Sequence, residues 1–378
     1  MASSARPGII PRKTLMGNPD KISPELSPEG TRLAYIAPVD GVLNVWVGPV
    51  ADPGAARPVT RDTHRGIRDY FWAFTNRHII YTQDTHGDEN WHIYSTDLET
   101  METKDLTPID GVAARVLAVS HHFPDEILVG LNDRDIRYHD IHRVNIRTGQ
   151  RTLVQENPEY AGFVTDDDYA VRFAVRYTED GGKEMLTKTP EGFKHYARIS
   201  MDDTLTTGAV GFDGTGRVMY MIDSRGRNTA ALRAVNLDTG DETVLAEDAK
   251  SDISGIQRHP TKKHVQAVTS NYTRPEWIVI DPAIADDIER LKQIAEGDVW
   301  ILDRTLDDTQ WLVAYIPDRG PVHYYHYDVA KKEASFLFSQ REELEDMPLV
   351  PMHPVVVRSR DGLDLVCYLT LPKEADPD

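Results

Sequence analysis

The chain has 378 residues and a formal net charge of −19, with 61 acidic and 42 basic side chains. This acidity, without a basic stripe, argues against nucleic acid or an anionic membrane surface as a partner. The first residues form no apolar secretion signal, and no run approaches the ~18 apolar residues of a membrane span. A single cysteine, Cys367, excludes an internal disulfide framework and is typical of a reducing compartment. We therefore expect a cytoplasmic protein.

A sequence pattern recurs along most of the chain. In each copy a short turn leads into an apolar run such as Arg32–Ile36, and the strand that follows ends at Asp or Asn before another turn. These closing residues are Asp97, Asn145, Asn236, Asp281 and Asp328, at separations of 48, 91, 45 and 47 residues, where 91 spans two copies. A period of about 46 residues holds four short strands, which is one propeller blade. We predict an all-β, seven-bladed β-propeller over residues 22–340, after an N-terminal extension of residues 1–21.

The blades differ in how clearly they show four strands. The first three alternate apolar and polar residues between regular turns, as short strands do. Residues 158–205 show the pattern weakly, so we expect a degenerate fourth blade. In the sixth blade, residues 283–296 carry apolar residues at helical spacing (Ile284, Ile288, Leu291 and Ile294) and are followed by Gly297. This predicts one short surface helix inserted between the third and fourth strands of that blade.

The chain leaves the repeat after the seventh blade. Residues 341–354 are acidic and rich in proline, which is typical of an interdomain linker. In residues 355–378, two apolar segments flank Asp361-Gly362, a strong signal for a β-hairpin. Two strands alone do not form a stable sheet. The hairpin therefore predicts the start of a further domain that this sequence does not complete.

These segments resemble a known family. Residues 23–35 are similar to the first-blade signature of the prolyl oligopeptidase family of serine peptidases, and residues 87–94 look like its second blade. Residues 359–365 with 368–372 resemble the first two strands of its α/β-hydrolase domain. The nearest subgroup is that of the bacterial acylaminoacyl-peptidases and puromycin-hydrolase-like members, which are mainly exopeptidases. The resemblance implies a truncated serine peptidase whose propeller gates the active site and helps to orient short peptides.

The sequence departs from the family at the catalytic residues. The family nucleophile lies in a Gly-x-Ser-x-Gly elbow, followed by Asp and His, and no such elbow occurs in this chain. We therefore assign no catalytic residue and expect no cofactor or metal. The implied partner is an α/β-hydrolase catalytic domain, on missing sequence or on a separate chain, and the implied substrate is a short peptide. The alternative is a stand-alone propeller that acts as a binding or scaffold module without catalysis.

Charged residues concentrate in the loops that join the second and third strands of the blades. The resemblance implies that the hydrolase domain caps the face on which these loops open. Carboxylates there would suit a peptide α-amine, and guanidinium groups would suit a carboxylate or a carbonyl. The candidate substrate-binding residues are Asp88, Glu89, Arg134, Arg137, Arg225, Arg227 and Arg274. The alternative is that they form solvated turns, or ion pairs to the missing domain.

Two histidine pairs could suggest a metal site. His139 and His142, like His323 and His326, are three residues apart within predicted strands. Side chains at that spacing point to opposite sides of a strand. No cysteine or carboxylate at zinc-ligand spacing accompanies them. We interpret all four as ordinary strand or loop histidines.

Overall fold

The structure, a computed structural model, describes residues 9–372. Residues 1–8 of the predicted N-terminal extension and residues 373–378 of the predicted further domain lie outside this range. Within it, seven antiparallel sheets of sequential strands form a seven-bladed β-propeller, which confirms the predicted fold class. No helix in this range combines the length and apolar character needed to cross a membrane.

Blades one to three have four strands each. Blade one contains β1 (Ile22–Leu26), β2 (Arg32–Val39), β3 (Val42–Pro49) and β4 (Arg57–Pro58). Blade two contains β5 (Tyr70–Trp72), β6 (His78–Gln83), β7 (His92–Asp97) and β8 (Thr103–Asp105). Blade three contains β9 (Ala114–Val119), β10 (Glu126–Asp135), β11 (Tyr138–Asn145) and β12 (Arg151–Gln155).

Blades four, five and seven repeat the same design. Blade four contains β13 (Gly162–Thr165), β14 (Val171–Tyr177), β15 (Lys183–Thr189) and β16 (Gly192–Ile199). Blade five contains β17 (Gly208–Phe212), β18 (Val218–Asp223), β19 (Ala231–Asn236) and β20 (Glu242–Ala246). Blade seven contains β24 (Asp298–Arg304), β25 (Gln310–Ile316), β26 (His323–Asp328) and β27 (Glu333–Ser339).

The remaining elements depart from this design. Blade six has three strands, β21 (Ile253–Arg258), β22 (Val265–Asn271) and β23 (Pro275–Val279), followed by helix α2 (Ala285–Leu291). Helix α1 (Arg12–Met16) precedes the first blade, and a separate hairpin of β28 (Met352–Arg358) and β29 (Asp364–Thr370) follows the last.

The core lies between neighbouring blades, and strand alternation explains why. Side chains of successive residues in a strand point to opposite faces of the sheet. In β6, Ile79 packs into the cluster shared with blade one, and Ile80 packs into the cluster shared with blade three. In β10, Ile127 faces blade two and Leu128 faces blade four. The second strands are thus buried on both faces, which is why their sequences read as continuous apolar runs.

The recurring Asp and Asn residues close the third strands. The Asn145 and Asn236 side chains each accept hydrogen bonds from two backbone amides of the following turn, at 3.0–3.2 Å. Asp97 accepts an amide bond from Glu99 in the same way, at 2.9 Å. Such turns are local, because the side chain replaces a backbone acceptor two or three residues away.

Two of the blade predictions were wrong in detail. Blade four is not degenerate, because it has four regular strands, with Phe173 and Met185 buried against blade five. In blade six the helix is present, but it is not a surface insertion. Ile288 and Leu291 are buried in one cluster with Trp311 and other residues of blade seven. The residues after β23 therefore fill the space between blades as a helix, and the described chain has no fourth strand there.

The ring closes between blades one and seven. No sheet in residues 9–372 contains strands of both blades, so closure depends on packing rather than on a shared strand. Leu26 and Tyr35 of blade one share a buried cluster with Tyr324 and other residues of blade seven. The Leu26 amide also donates to Asp303 Oδ2 at 2.8 Å. We call the boundary between blades one and seven the seam.

Candidate functional site

The propeller has two distinct ends. The loops from second to third strands and the connections between blades open at one end, called here the upper face, and the remaining turns form the lower face. The hairpin meets the upper face, since Tyr368 Oη donates to the Thr273 carbonyl at 2.9 Å. The segment around α1 meets it too, since Asn18 Nδ2 donates to the Gly41 carbonyl at 2.8 Å.

The two arginines predicted in blade three pair with carboxylates of their own blade. Arg134 donates two hydrogen bonds to the buried Asp140, at 2.7 and 2.8 Å. Arg137 donates to both oxygens of Asp135, at 3.0 and 2.7 Å, and the hydrogen bonds from this guanidinium lower the pKa of Asp135 to about 2. Both guanidinium groups are therefore committed to structural ion pairs.

The two arginines predicted in blade five are also paired. Arg225 makes a bidentate pair with the buried Asp223, with both distances 2.9 Å. Arg227 donates to the Thr229 carbonyl and to Glu247, both at 2.7 Å. Such pairs fix the shape of the loop, because the planar fork of Arg matches a carboxylate.

The acidic loop of blade two contains one uncommitted carboxylate. Asp88 accepts hydrogen bonds from its own loop, including the Asn90 amide at 3.1 Å. Asp84 is buried, and it accepts from Arg65 at 2.9 Å and from the Glu89 amide at 3.2 Å. Glu89 is exposed, and within residues 9–372 its carboxylate has no hydrogen-bond or ion-pair partner. Its φ of 60° is the left-handed conformation, so the loop holds Glu89 in an uncommon backbone state.

A cavity of about 140 Å³ lies beside this loop. It is lined by Arg65, Gly66, Arg68, Asp69, Thr82, Gln83, Asp84 and Trp91. None of the seven candidate residues lines it. The candidates instead belong to four blades, with two in each of blades two, three and five and one in blade six.

Arg274 differs from the other four candidate arginines because it contacts more than one part of the molecule. It makes a bidentate pair with Asp318 of blade seven, at 2.7 and 2.5 Å. It also donates to the Met352 carbonyl at 2.7 Å, at the start of β28. Asp298 lies 3.8 Å away. Arg274 thus joins two blades and the hairpin.

Two carboxyl groups at the axis of the ring were not among the predicted site residues. First strands of neighbouring blades contact one another, β1 with β5 and β24, so they line the central channel. Glu25 on β1 and Asp303 on β24 are half-buried there. Desolvation, followed by the nearby charge of Asp303, raises the pKa of Glu25 well above its ordinary value. Desolvation also raises the pKa of Asp303 to about 6. The signal available in the sequence was an acidic residue within a mainly apolar first strand of a blade.

Three of the four histidines singled out have separate partners. His139 Nε2 lies 3.1 Å from the Ala113 carbonyl. His323 lies 3.0 Å from Glu345, and His326 lies 2.8 Å from Gln310. His142 lies on β11 with an Nδ1 that has no partner. Residues 9–372 contain no cluster of three metal-ligating side chains.

Solved structures share this fold. A puromycin-hydrolyzing peptidase from Mycobacterium tuberculosis superposes with a TM-score of 0.66, over 97% of this chain and 61% of that one, at 12% identity. Prolyl oligopeptidase B from Galerina marginata gives a TM-score of 0.63, over 93% of this chain and 55% of that one, at 11% identity. At these identities the likeness shows the fold alone.

Two relatives are more similar to the chain in sequence. No family model matches the chain. The chain is 45% identical over 370 residues to dipeptidyl aminopeptidase BIII of Pseudoxanthomonas mexicana. The alignment covers 97% of this chain and 54% of that protein. It is 30% identical over 387 residues to dipeptidyl peptidase family member 6 of Caenorhabditis elegans. That alignment covers 97% of this chain and 52% of the relative. The chain thus spans about half the length of these relatives. The resemblance to the prolyl oligopeptidase family is confirmed.

Proposed function

We propose that this chain is the propeller of a serine exopeptidase that acts on short peptides with a free N-terminus. The catalytic Ser, Asp and His would be carried by an α/β-hydrolase domain outside this sequence. The observation that carries the proposal is the 45% identity to a dipeptidyl aminopeptidase across 97% of the chain. The propeller would restrict access to the active site and help to orient the substrate.

The distribution of exposed apolar side chains supports this assignment. At the upper face, Ile136, Tyr177 and Leu205 are 78%, 69% and 97% exposed. The described loops of the lower face expose a large apolar side chain at Met101, which is 49% exposed. Apolar side chains gathered on one face favour contact with another domain. The upper face, where the hairpin also lies, is the expected position of the catalytic domain.

Glu89 is the best candidate for recognising the substrate α-amine. Its carboxylate is uncommitted, whereas the predicted arginines and Asp88 have partners within the propeller. A catalytic domain over the upper face would exclude water, and a carboxylate–ammonium contact strengthens as the local dielectric constant falls. Glu89 would then favour peptides with a free amine, as an aminopeptidase requires.

The activity can be tested in the complete protein. Dipeptidyl nitroanilides with a free amine should be hydrolysed, and a serine-directed phosphonate should titrate the activity. The 378-residue chain alone should show no turnover, because no nucleophile–base pair can be identified in it. A complete protein that is inactive on all such substrates would favour the alternative of a binding propeller.

The role of Glu89 can be tested separately. Glu89→Gln should lower kcat/KM for free-amine substrates, because one charge-assisted hydrogen bond contributes about 1.5–3 kcal/mol. N-acylated analogues should change much less. Glu179→Gln is a matched control, since Glu179 is also exposed in an upper-face loop, in blade four. Equal losses on both substrate types would assign Glu89 a structural role.

We also propose that the protein is cytoplasmic. Cys367 is exposed on β29. A free exposed thiol is best preserved in a reducing compartment.

A further inference from the structure

The hairpin is attached to the propeller at its base. Arg274, in the upper-face loop of blade six, donates to the Met352 carbonyl at 2.7 Å. Asp318, in the corresponding loop of blade seven, accepts a hydrogen bond from the Met352 amide at 3.1 Å. The two side chains also pair with each other, at 2.7 and 2.5 Å. Both backbone polar groups of Met352 are therefore held by one ion pair.

A second contact lies close to the first. Tyr368 Oη donates to the carbonyl of Thr273, the residue before Arg274. Tyr368 pairs with Pro354 across the hairpin, and Met352 pairs with Thr370. Each strand is thus fixed near the base, while the turn at residues 359–362 is the free tip.

The chain leading to the hairpin is stiff. Pro348, Pro351 and Pro354 surround Met352 in sequence, and each proline fixes its own φ and restricts the residue before it. Small changes at Met352 would therefore move the hairpin as a unit. Seven residues at about 3.3 Å each extend ~23 Å, so a tilt of about 10° at Met352 moves the tip by about 4 Å.

We propose that Arg274 and Asp318, called here the hairpin clamp, are positioning residues that set the orientation of the catalytic domain on the propeller. This rests on the proposed function, because the hairpin is expected to be the first part of that domain. A displacement of about 1 Å between catalytic and binding groups can lower activity on the order of 100-fold. Because both backbone polar groups of Met352 are held, the base of the hairpin is less free to shift in this way.

Other ion pairs at this face do not have this geometry. Arg319 follows Asp318 in the same loop, but it pairs with Glu296 at 2.9 Å and does not contact the hairpin. Arg137 pairs with Asp135, two residues away. The clamp is distinguished by joining blades six and seven to the chain that leaves the propeller.

Hydrogen exchange in the complete protein tests the clamp without requiring catalysis. In Arg274→Gln and in Asp318→Asn, amides of β28 and β29 should exchange at least ten-fold faster, while β22 and β25 are unchanged. Arg319→Gln is the matched control and should leave the hairpin as in the wild type. Tyr368→Phe removes the second contact alone and should give a smaller increase.

Kinetics give the second readout. Both clamp variants should lower kcat at least ten-fold with little change in KM, because orientation rather than substrate binding is lost. Arg274→Lys keeps the charge but loses the planar fork, so it should fall between wild type and Arg274→Gln. Hairpin exchange in Arg274→Gln and Asp318→Asn equal to that of Arg319→Gln would overturn the proposal. So would faster exchange spread evenly over blades six and seven, which would mark the pair as structural. An inactive wild-type protein would refute the peptidase but leave the exchange result valid.

Discussion

The blades and the terminal hairpin use the same strand pairing but differ in burial. β2 and β3 pair antiparallel over residues 32–49, and β28 and β29 pair in the same way over residues 352–370. Leu33, Ala34 and Ile36 of β2 are fully buried, whereas Val357 of β28 is 46% exposed. Each buried aliphatic side chain contributes about 1.5–3 kcal/mol. Pairing therefore defines a strand here, but packing of sheet on sheet stabilises it.

The largest expected effect of this difference is in local opening. In the isolated chain, amides of β28 and β29 should exchange at least ~1,000-fold faster than those of β10, since blade amides open only with much of the domain. Limited proteolysis with mass spectrometry should place the first cuts after about Pro351. A protected hairpin in a strictly monomeric chain would contradict the idea that it belongs to a further domain.

The next effect is on global stability. Trp311 is buried, its Nε1 donates to Asp308 at 2.8 Å, and the Arg304 guanidinium lies 4.6 Å from its ring centre. Trp311→Ala should lower the free energy of unfolding by about 3–5 kcal/mol. Val357→Ala on the hairpin should change it by less than about 0.5 kcal/mol. Denaturant titration of both variants measures this contrast, and similar losses would mean that the hairpin is part of the cooperative core.

A third prediction concerns the seam between blades one and seven. The pKa of Asp303 is raised to about 6 in the folded protein from an ordinary 3.8. The folded state therefore binds this proton more tightly, and stability should fall as pH rises from about 4 through 6. The loss should be on the order of 2 kcal/mol. Asp303→Asn should flatten this part of the stability profile, whereas Asp140→Asn should not, because the pKa of Asp140 is lowered. If the dependence of stability on pH between about 4 and 6 were the same in Asp303→Asn as in the wild type, the raised pKa of Asp303 would be refuted.

The smallest effect compares two turns. Gly240, between β19 and β20, and Gly362, at the hairpin tip, have φ of 78° and 89°. An added Cβ at Gly240 meets no atom within 4 Å, so the cost of Gly240→Ala comes from its backbone conformation, at about 1 kcal/mol. Gly362→Ala should leave the unfolding midpoint of the propeller unchanged. Equal shifts in the two variants would show that hairpin and propeller unfold together.

The sequence by itself determined the features that depend on neighbours in the chain. Asn145 and Asn236 accept hydrogen bonds from amides two and three residues later, and the recurrence of such residues along the chain indicated the number of blades. Asp361-Gly362 specified the hairpin turn, and the apolar spacing around Ile288 specified a helix. Each of these signals acts within a few residues, where side-chain periodicity and turn geometry are set.

The tertiary structure decided which side chains meet. The sequence placed Arg274 in a charged loop, but its partner Asp318 lies 44 residues away and Met352 lies 78 away. The same holds for α2, whose apolar face is buried only because blade seven packs against it. The raised pKa of Glu25 likewise depends first on desolvation and then on the charge of Asp303, which closure of the ring brings near. Ion-pair partners, burial and desolvation depend on how distant segments pack, and local pattern does not specify that.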